Sequence, residues 1–151
     1  MERMQFKTDI RANVAKVYQT MLEKEGYKQW TSVFNPTSEY EGSWNKGEKI
    51  YFVGTSNEGK KEGMVGLIKE HIPKEYVSIE YIAMMDDGKE VNKGPRAHDW
   101  IGGYENYTFS GNNRQSTVTV DVDVNEKMID WFQINYPKAL EKLKEICESN
   151  R

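Results

Sequence analysis

Glu126-Lys-Met-Ile-Asp-Trp-Phe-Gln-Ile-Asn-Tyr-Pro-Lys-Ala-Leu-Glu-Lys-Leu-Lys-Glu-Ile-Cys-Glu-Ser149 is the stretch on which the architecture turns. Ile129, Phe132, Tyr136, Leu140, Leu143 and Cys147 recur at steps of three and four, with Met128, Ala139 and Ile146 beside them, so one apolar stripe runs along a helix. Asn125 stands where a cap is needed. At 1.5 Å per residue, about 24 residues reach about 36 Å, enough to cross a whole sheet. Pro137 falls inside the run and predicts a kink, or a fresh helix start after an irregular first part.

Upstream of this helix the period is two. Gln115–Val124 alternates valines with polar residues, and Glu39–Trp44, Glu48–Gly54, Gly63–Ile72, Tyr76–Met85 and Trp100–Phe109 read as strands in the same way. The links between them are mostly too short for a parallel crossover, which needs about a dozen residues, so the strands form hairpins. The exception, Asp86–Asp99, is rich in Asp, Gly, Lys and Pro and reads as a surface loop. At the other end of the chain Met4, Phe6, Thr8 and Ile10 alternate as a first strand. From Asn13, Val14, Val17, Tyr18, Met21 and Leu22 take up helical spacing; Gly26 breaks it, and Tyr27, Trp30, Val33 and Phe34 make a second short helix before Asn35-Pro36.

The expected fold is therefore α+β: a seven-stranded antiparallel sheet curved around one long C-terminal helix, with two short helices after strand 1. One helix about 10 Å across cannot cover seven strands spaced about 4.8 Å apart. A sheet that curls around it buries more apolar surface and leaves a hollow between sheet, helix and elbow. That hollow is the physical root of a ligand site.

Composition bounds the rest. The 151 residues suit one domain spanning 1–151, large enough to bury roughly 69% of its unfolded surface. A net charge of −3 gives no reason to expect attraction to nucleic acid or anionic lipid. The single cysteine, Cys147, excludes an internal disulfide and thiolate-rich metal sites. There is no apolar run of membrane-spanning length and no signal-peptide core at the start, so a cytoplasmic location is expected. No cofactor motif and no metal-ligand spacing is present.

Four segments, in order, resemble the SRPBCC superfamily, the helix-grip fold of START lipid-transfer domains and the birch-pollen allergen. Ala12-Asn13-Val14-Ala15-Lys16-Val17-Tyr18 followed by Trp30 resembles its first helix and elbow. Lys46-Gly47-Glu48-Lys49-Ile50-Tyr51-Phe52 resembles its glycine-led strand, and Gly66-Leu67-Ile68-Lys69-Glu70-His71-Ile72-Pro73 with Tyr76-Val77 its next hairpin. Tyr136-Pro137-Lys138-Ala139-Leu140-Glu141-Lys142-Leu143-Lys144 resembles its terminal helix, where tryptophan is commoner at the first position. Within the superfamily the likeness is to homologues of the activator of the heat-shock-protein ATPase. The resemblance covers nearly the whole chain and implies a fold that hosts ligand carriers, cyclases, hydrolases and chaperone regulators.

In a helix-grip topology Trp30, Phe34, Phe52, Tyr81, Trp100, Tyr107, Phe109, Phe132 and Tyr136 would turn inward, with Ile68, Met85 and Leu140 completing the lining. They serve a pocket or simply fill the core; aromatic residues suit both. Glu70 shares strand parity with Met64, Gly66 and Ile68, and Glu105 with Tyr107 and Phe109, which makes both candidates for inward acids; a rim carboxylate paired with Lys or Arg is the plainer reading. Arg96 and His98, with Asp99, in the long loop are candidates for holding an anionic or polar ligand group at the mouth, although His98 and His71 read as ordinary surface residues. No Ser-His-Asp arrangement or nucleophile elbow occurs. The expected function is binding of a small hydrophobic or amphipathic molecule by a monomer or homodimer. Catalysis of the cyclase or aromatase kind, and a co-chaperone role toward a heat-shock-protein ATPase, are the alternatives.

Overall fold

A computed structural model describes residues 1–149. The chain runs β1 (Glu2–Ile10), α1 (Val14–Leu22), α2 (Lys24–Thr31), β2 (Glu39–Gly42), β3 (Lys49–Thr55), β4 (Lys61–Ile72), β5 (Tyr76–Asp86), β6 (Lys89–Val91), α3 (Pro95–His98), β7 (Tyr104–Gly111), β8 (Ser116–Val124) and α4 (Ile129–Ser149), the last preceded by a 3-10 turn at Glu126–Met128. The sheet is antiparallel throughout, in the order β1-β8-β7-β5-β4-β3-β2, with β6 added beside β5. This is the α+β helix-grip arrangement, with the seven expected strands forming its continuous path.

The eighth strand and α3 occupy Asp86–Asp99, where composition predicts a structureless loop. Asp86 pairs with Lys89 around Asp87-Gly88, both at positive φ (51° and 78°), the backbone of a two-residue hairpin turn. A three-residue strand and a four-residue helix are too short to show a period, but the Asp-Gly pair is a legible turn signal. Trp100, placed by its sequence at the start of a strand, lies in the turn after α3, and β7 begins only at Tyr104.

The elbow has a physical lock. α1 starts at Asn13, whose side chain accepts from the Lys16 amide at 2.8 Å. It ends at Glu23, which is extended (ψ 151°) and serves both helices, so the break comes three residues before the expected Gly26. Gly26 sits inside α2, where a Cβ would fall 1.8 Å from the Thr20 carbonyl oxygen; its bareness lets the helices meet. The terminal carbonyls of α1, left without helical donors, are taken up by aromatic groups. The Trp30 indole donates to Met21 O at 2.9 Å, while the Tyr40 hydroxyl (2.7 Å) and the Trp44 indole (3.0 Å) donate to Leu22 O.

The main core joins both short helices, the sheet and α4; Val17, Trp30, Ile79, Val120, Tyr136 and Leu143 are among its fully buried members. α4 runs unbroken through Pro137 and packs on β1, α1 and α2. Pro137 faces solvent, as does Gln133, whose carbonyl loses its helical donor, so water can replace the missing bond. Cys147 is fully buried near the helix end. Because α4 lies over β1, the β3–β5 region is left for the elbow to cover.

Candidate functional site

Between the elbow, α4 and the β3–β5 wall a cavity of about 380 Å³ remains, within the range of small-molecule sites. α2 contributes Tyr27 and Trp30, spaced at i and i+3, with Phe34 one further turn on; Phe52 comes from β3, Met64 from β4, Tyr81 and Met85 from β5, and Phe132 and Tyr136 from α4. Two glycines shape the β4 wall. At Gly66 a Cβ would lie 2.6 Å from Ile79 Cγ2 and 3.2 Å from the Phe52 ring, so the missing side chain makes room for that ring. Gly63, at φ +151°, brings β4 so near β3 that a Cβ would meet Phe52 O at 1.8 Å.

At the floor lies Glu105, 9% exposed, on β7. The Tyr81 hydroxyl donates to its Oε1 and the Tyr136 hydroxyl to its Oε2, so β5 and α4 grip one carboxyl from two sides. Burial pushes the Glu105 carboxyl above its ordinary range, and the two phenol hydrogen bonds oppose that shift without cancelling it. Burial likewise raises Tyr81, Tyr107 and Tyr136, and the neighbouring Glu105 raises them further, so all three stay protonated through the neutral range. Such a cluster can hydrogen-bond a polar group at the base of a mainly apolar cavity.

Nine of the twelve expected apolar lining residues stand on the cavity wall: Trp30, Phe34, Phe52, Tyr81, Met85, Trp100, Tyr107, Phe132 and Tyr136. Ile68, Phe109 and Leu140 do not; they are buried in the core, with Phe109 set edge-on against Tyr18. Of the polar candidates, Glu105 and Arg96 line the cavity, Arg96 from the exposed α3 at its mouth. Glu70 does not point inward. The β4–β5 register skips Lys69 between Ile68 and Glu70, breaking the parity that links Glu70 to Met64, and its carboxylate meets Lys46 at 3.3 Å on the surface. His98 is exposed and stands off the cavity wall. His71, expected on the surface, is half-buried between Tyr18 and the Trp44 carbonyl. Tyr27 and Met64 also line the cavity, and neither was expected there; Tyr27 is readable from its helical spacing to Trp30 and Phe34.

No protein-family model matches the sequence, and neither does any curated protein. Solved structures match the fold. The protein MLL2253 from Mesorhizobium loti superposes with a TM-score of 0.73 at 8% identity over 99% of both chains. The Aha1 dimer from Colwellia psychrerythraea gives 0.68 at 18% identity over 98% of this chain and 97% of that one. DynU16, a protein of the dynemicin biosynthetic locus, gives 0.69 at 12% identity over 100% of this chain and 49% of its own. At these identities the likeness establishes the helix-grip fold alone.

Proposed function

We propose that this protein binds a small, largely apolar molecule in the cavity between the elbow, α4 and the sheet, with one polar group of the guest seated at Glu105. The observation that carries the reading is a buried polar cluster, Glu105 with Tyr81 and Tyr136, at the floor of a cavity walled mainly by aromatic and methionine side chains. Apolar walls supply affinity by burial, and a few placed polar atoms fix orientation. The wall residues from α2 and α4 are held by the elbow lock and by core packing, so the site is largely preformed. The fold is shared with DynU16, a protein of the dynemicin biosynthetic locus. A panel of fatty acids, steroids, flavonoids and aromatic polyketides, read by tryptophan fluorescence and melting temperature, tests it. Saturable quenching with stabilisation is expected for at least one class, and its loss on filling the cavity with Met64→Trp. Absence of both across the panel sinks the reading.

The same carboxyl favours acid–base catalysis in the cavity as a second reading, because a buried acid with a raised pKa is the group such chemistry uses. Turnover of a bound polyketide that vanishes in Glu105→Gln supports it; binding without turnover leaves the protein a carrier. A co-chaperone role draws only on the fold shared with Aha1, and unchanged chaperone ATPase on adding this protein counts against it.

A further inference from the structure

Resting on the binding role above, we propose that the guest is a protonated amine carried on an apolar body, with its ammonium against the Glu105 carboxylate. The hydroxyl protons of Tyr81 and Tyr136 both point at Glu105. Tyr107 is hydrogen-bonded to Tyr136, so what remains at the floor is lone pairs on the carboxylate oxygens and on the Tyr81 oxygen. Such a floor is rich in acceptors and poor in donors, so it selects a guest that brings its own N–H groups.

Charge points the same way. Among the described residues no Lys, Arg or His pairs with Glu105, and Arg96 stands at the mouth. The charged residues on the cavity wall are Glu62, Arg96 and Glu105, so acids outnumber the base. A buried carboxylate without a counter-cation is costly, and an ammonium supplies the absent charge. It also makes hydrogen bonds roughly twice as strong as neutral ones. Trp30 and Tyr107, on the same wall, are ring types whose faces attract cations.

The titratable groups around Glu105 are phenols: Tyr27 from α2, Tyr81 from β5, Tyr107 from β7 and Tyr136 from α4. Burial keeps all four protonated, so Glu105 is the group at the floor that can change charge, its carboxyl raised by burial. The amine stays charged through the neutral range, because alkylammonium groups titrate near 10, as lysine does.

Matched pairs provide the test: 2-phenylethylamine and 2-phenylethanol, tryptamine and tryptophol, octylamine and octan-1-ol, each titrated calorimetrically into the intact protein. In at least one pair the amine is expected to bind at least about tenfold tighter where Glu105 is ionised, with the gap closing as pH falls and Glu105 takes up its proton. Glu105→Gln should erase the gap between amine and alcohol. If that variant does not fold, the pH dependence of the native protein decides the matter. Alcohols binding as tightly as amines, or a gap that ignores pH, overturns the amine assignment and leaves the binding cavity standing. Apolar panel members binding while no amine does has the same meaning. Silence from the amines, the alcohols and the apolar panel together overturns both readings.

Discussion

The Tyr18 hydroxyl and His71 Nε2 are 2.6 Å apart, tying α1 to the far end of β4. His71 Nδ1 lies 2.8 Å from the Trp44 carbonyl oxygen, which can only accept. Nδ1 therefore carries the hydrogen, and Nε2 accepts the Tyr18 proton. One imidazole thus joins three segments at the edge of the elbow. Removing the hydroxyl in Tyr18→Phe leaves Nε2 without its donor and should cost about 1 kcal/mol. Thermal unfolding should register this as a fall of about 2–4 °C. Tyr18 is not on the cavity wall, so ligand binding should be unchanged.

Glu105 makes stability depend on pH in a stated direction. Its folded pKa is raised, mainly by burial, so the native state holds a proton that the unfolded chain has already released. Its contribution to stability is complete below the ordinary glutamate value of about 4.3 and is lost as pH rises through the raised folded value. Denaturant titrations across that window should show stability falling with rising pH. Glu105→Gln should flatten this component; an unchanged slope in the variant would assign the pH dependence to other groups.

Gly63 is required by the closeness of β3 and β4. Its positive φ and the 1.8 Å approach of a built Cβ to Phe52 O mean that Gly63→Ala must push two backbones apart. A loss of about 2–4 kcal/mol is expected. Hydrogen exchange should show faster opening of the β3–β4 pairing than of β1–β8.

Phe132 and Leu140 lie two turns apart on α4 but face different surroundings. Leu140 is 2% exposed in the core, and Leu140→Ala should cost about 2–5 kcal/mol with little change in ligand preference. Phe132 is half-buried on the cavity wall. Phe132→Ala should cost less stability and shift binding toward bulkier guests, as measured by paired melting curves and titrations.

The regular parts of this fold are legible in the sequence because their periods are long and unbroken. β8 is inward at every second residue from Ser116 to Val124, as its valine alternation requires. The stripe from Tyr136 through Leu140 and Leu143 to Cys147 is buried as its spacing demands. Strand parity misplaces Glu70 because the extra residue at Lys69 of β4 leaves no mark in the composition of the strand. Parity does place Glu105 inward, yet its partners Tyr81 and Tyr136 are 24 and 31 residues away, and only the folded sheet and helix bring them together.

Cys147 is the sole thiol of the chain; it is fully buried, and burial pushes its pKa up, so alkylating reagents meet no competent nucleophile in the native protein. Arg96→Cys would then create a unique attachment point at the entrance. A maleimide fluorophore placed there, without deleting any native cysteine, turns the molecule into an optical sensor of its own occupancy.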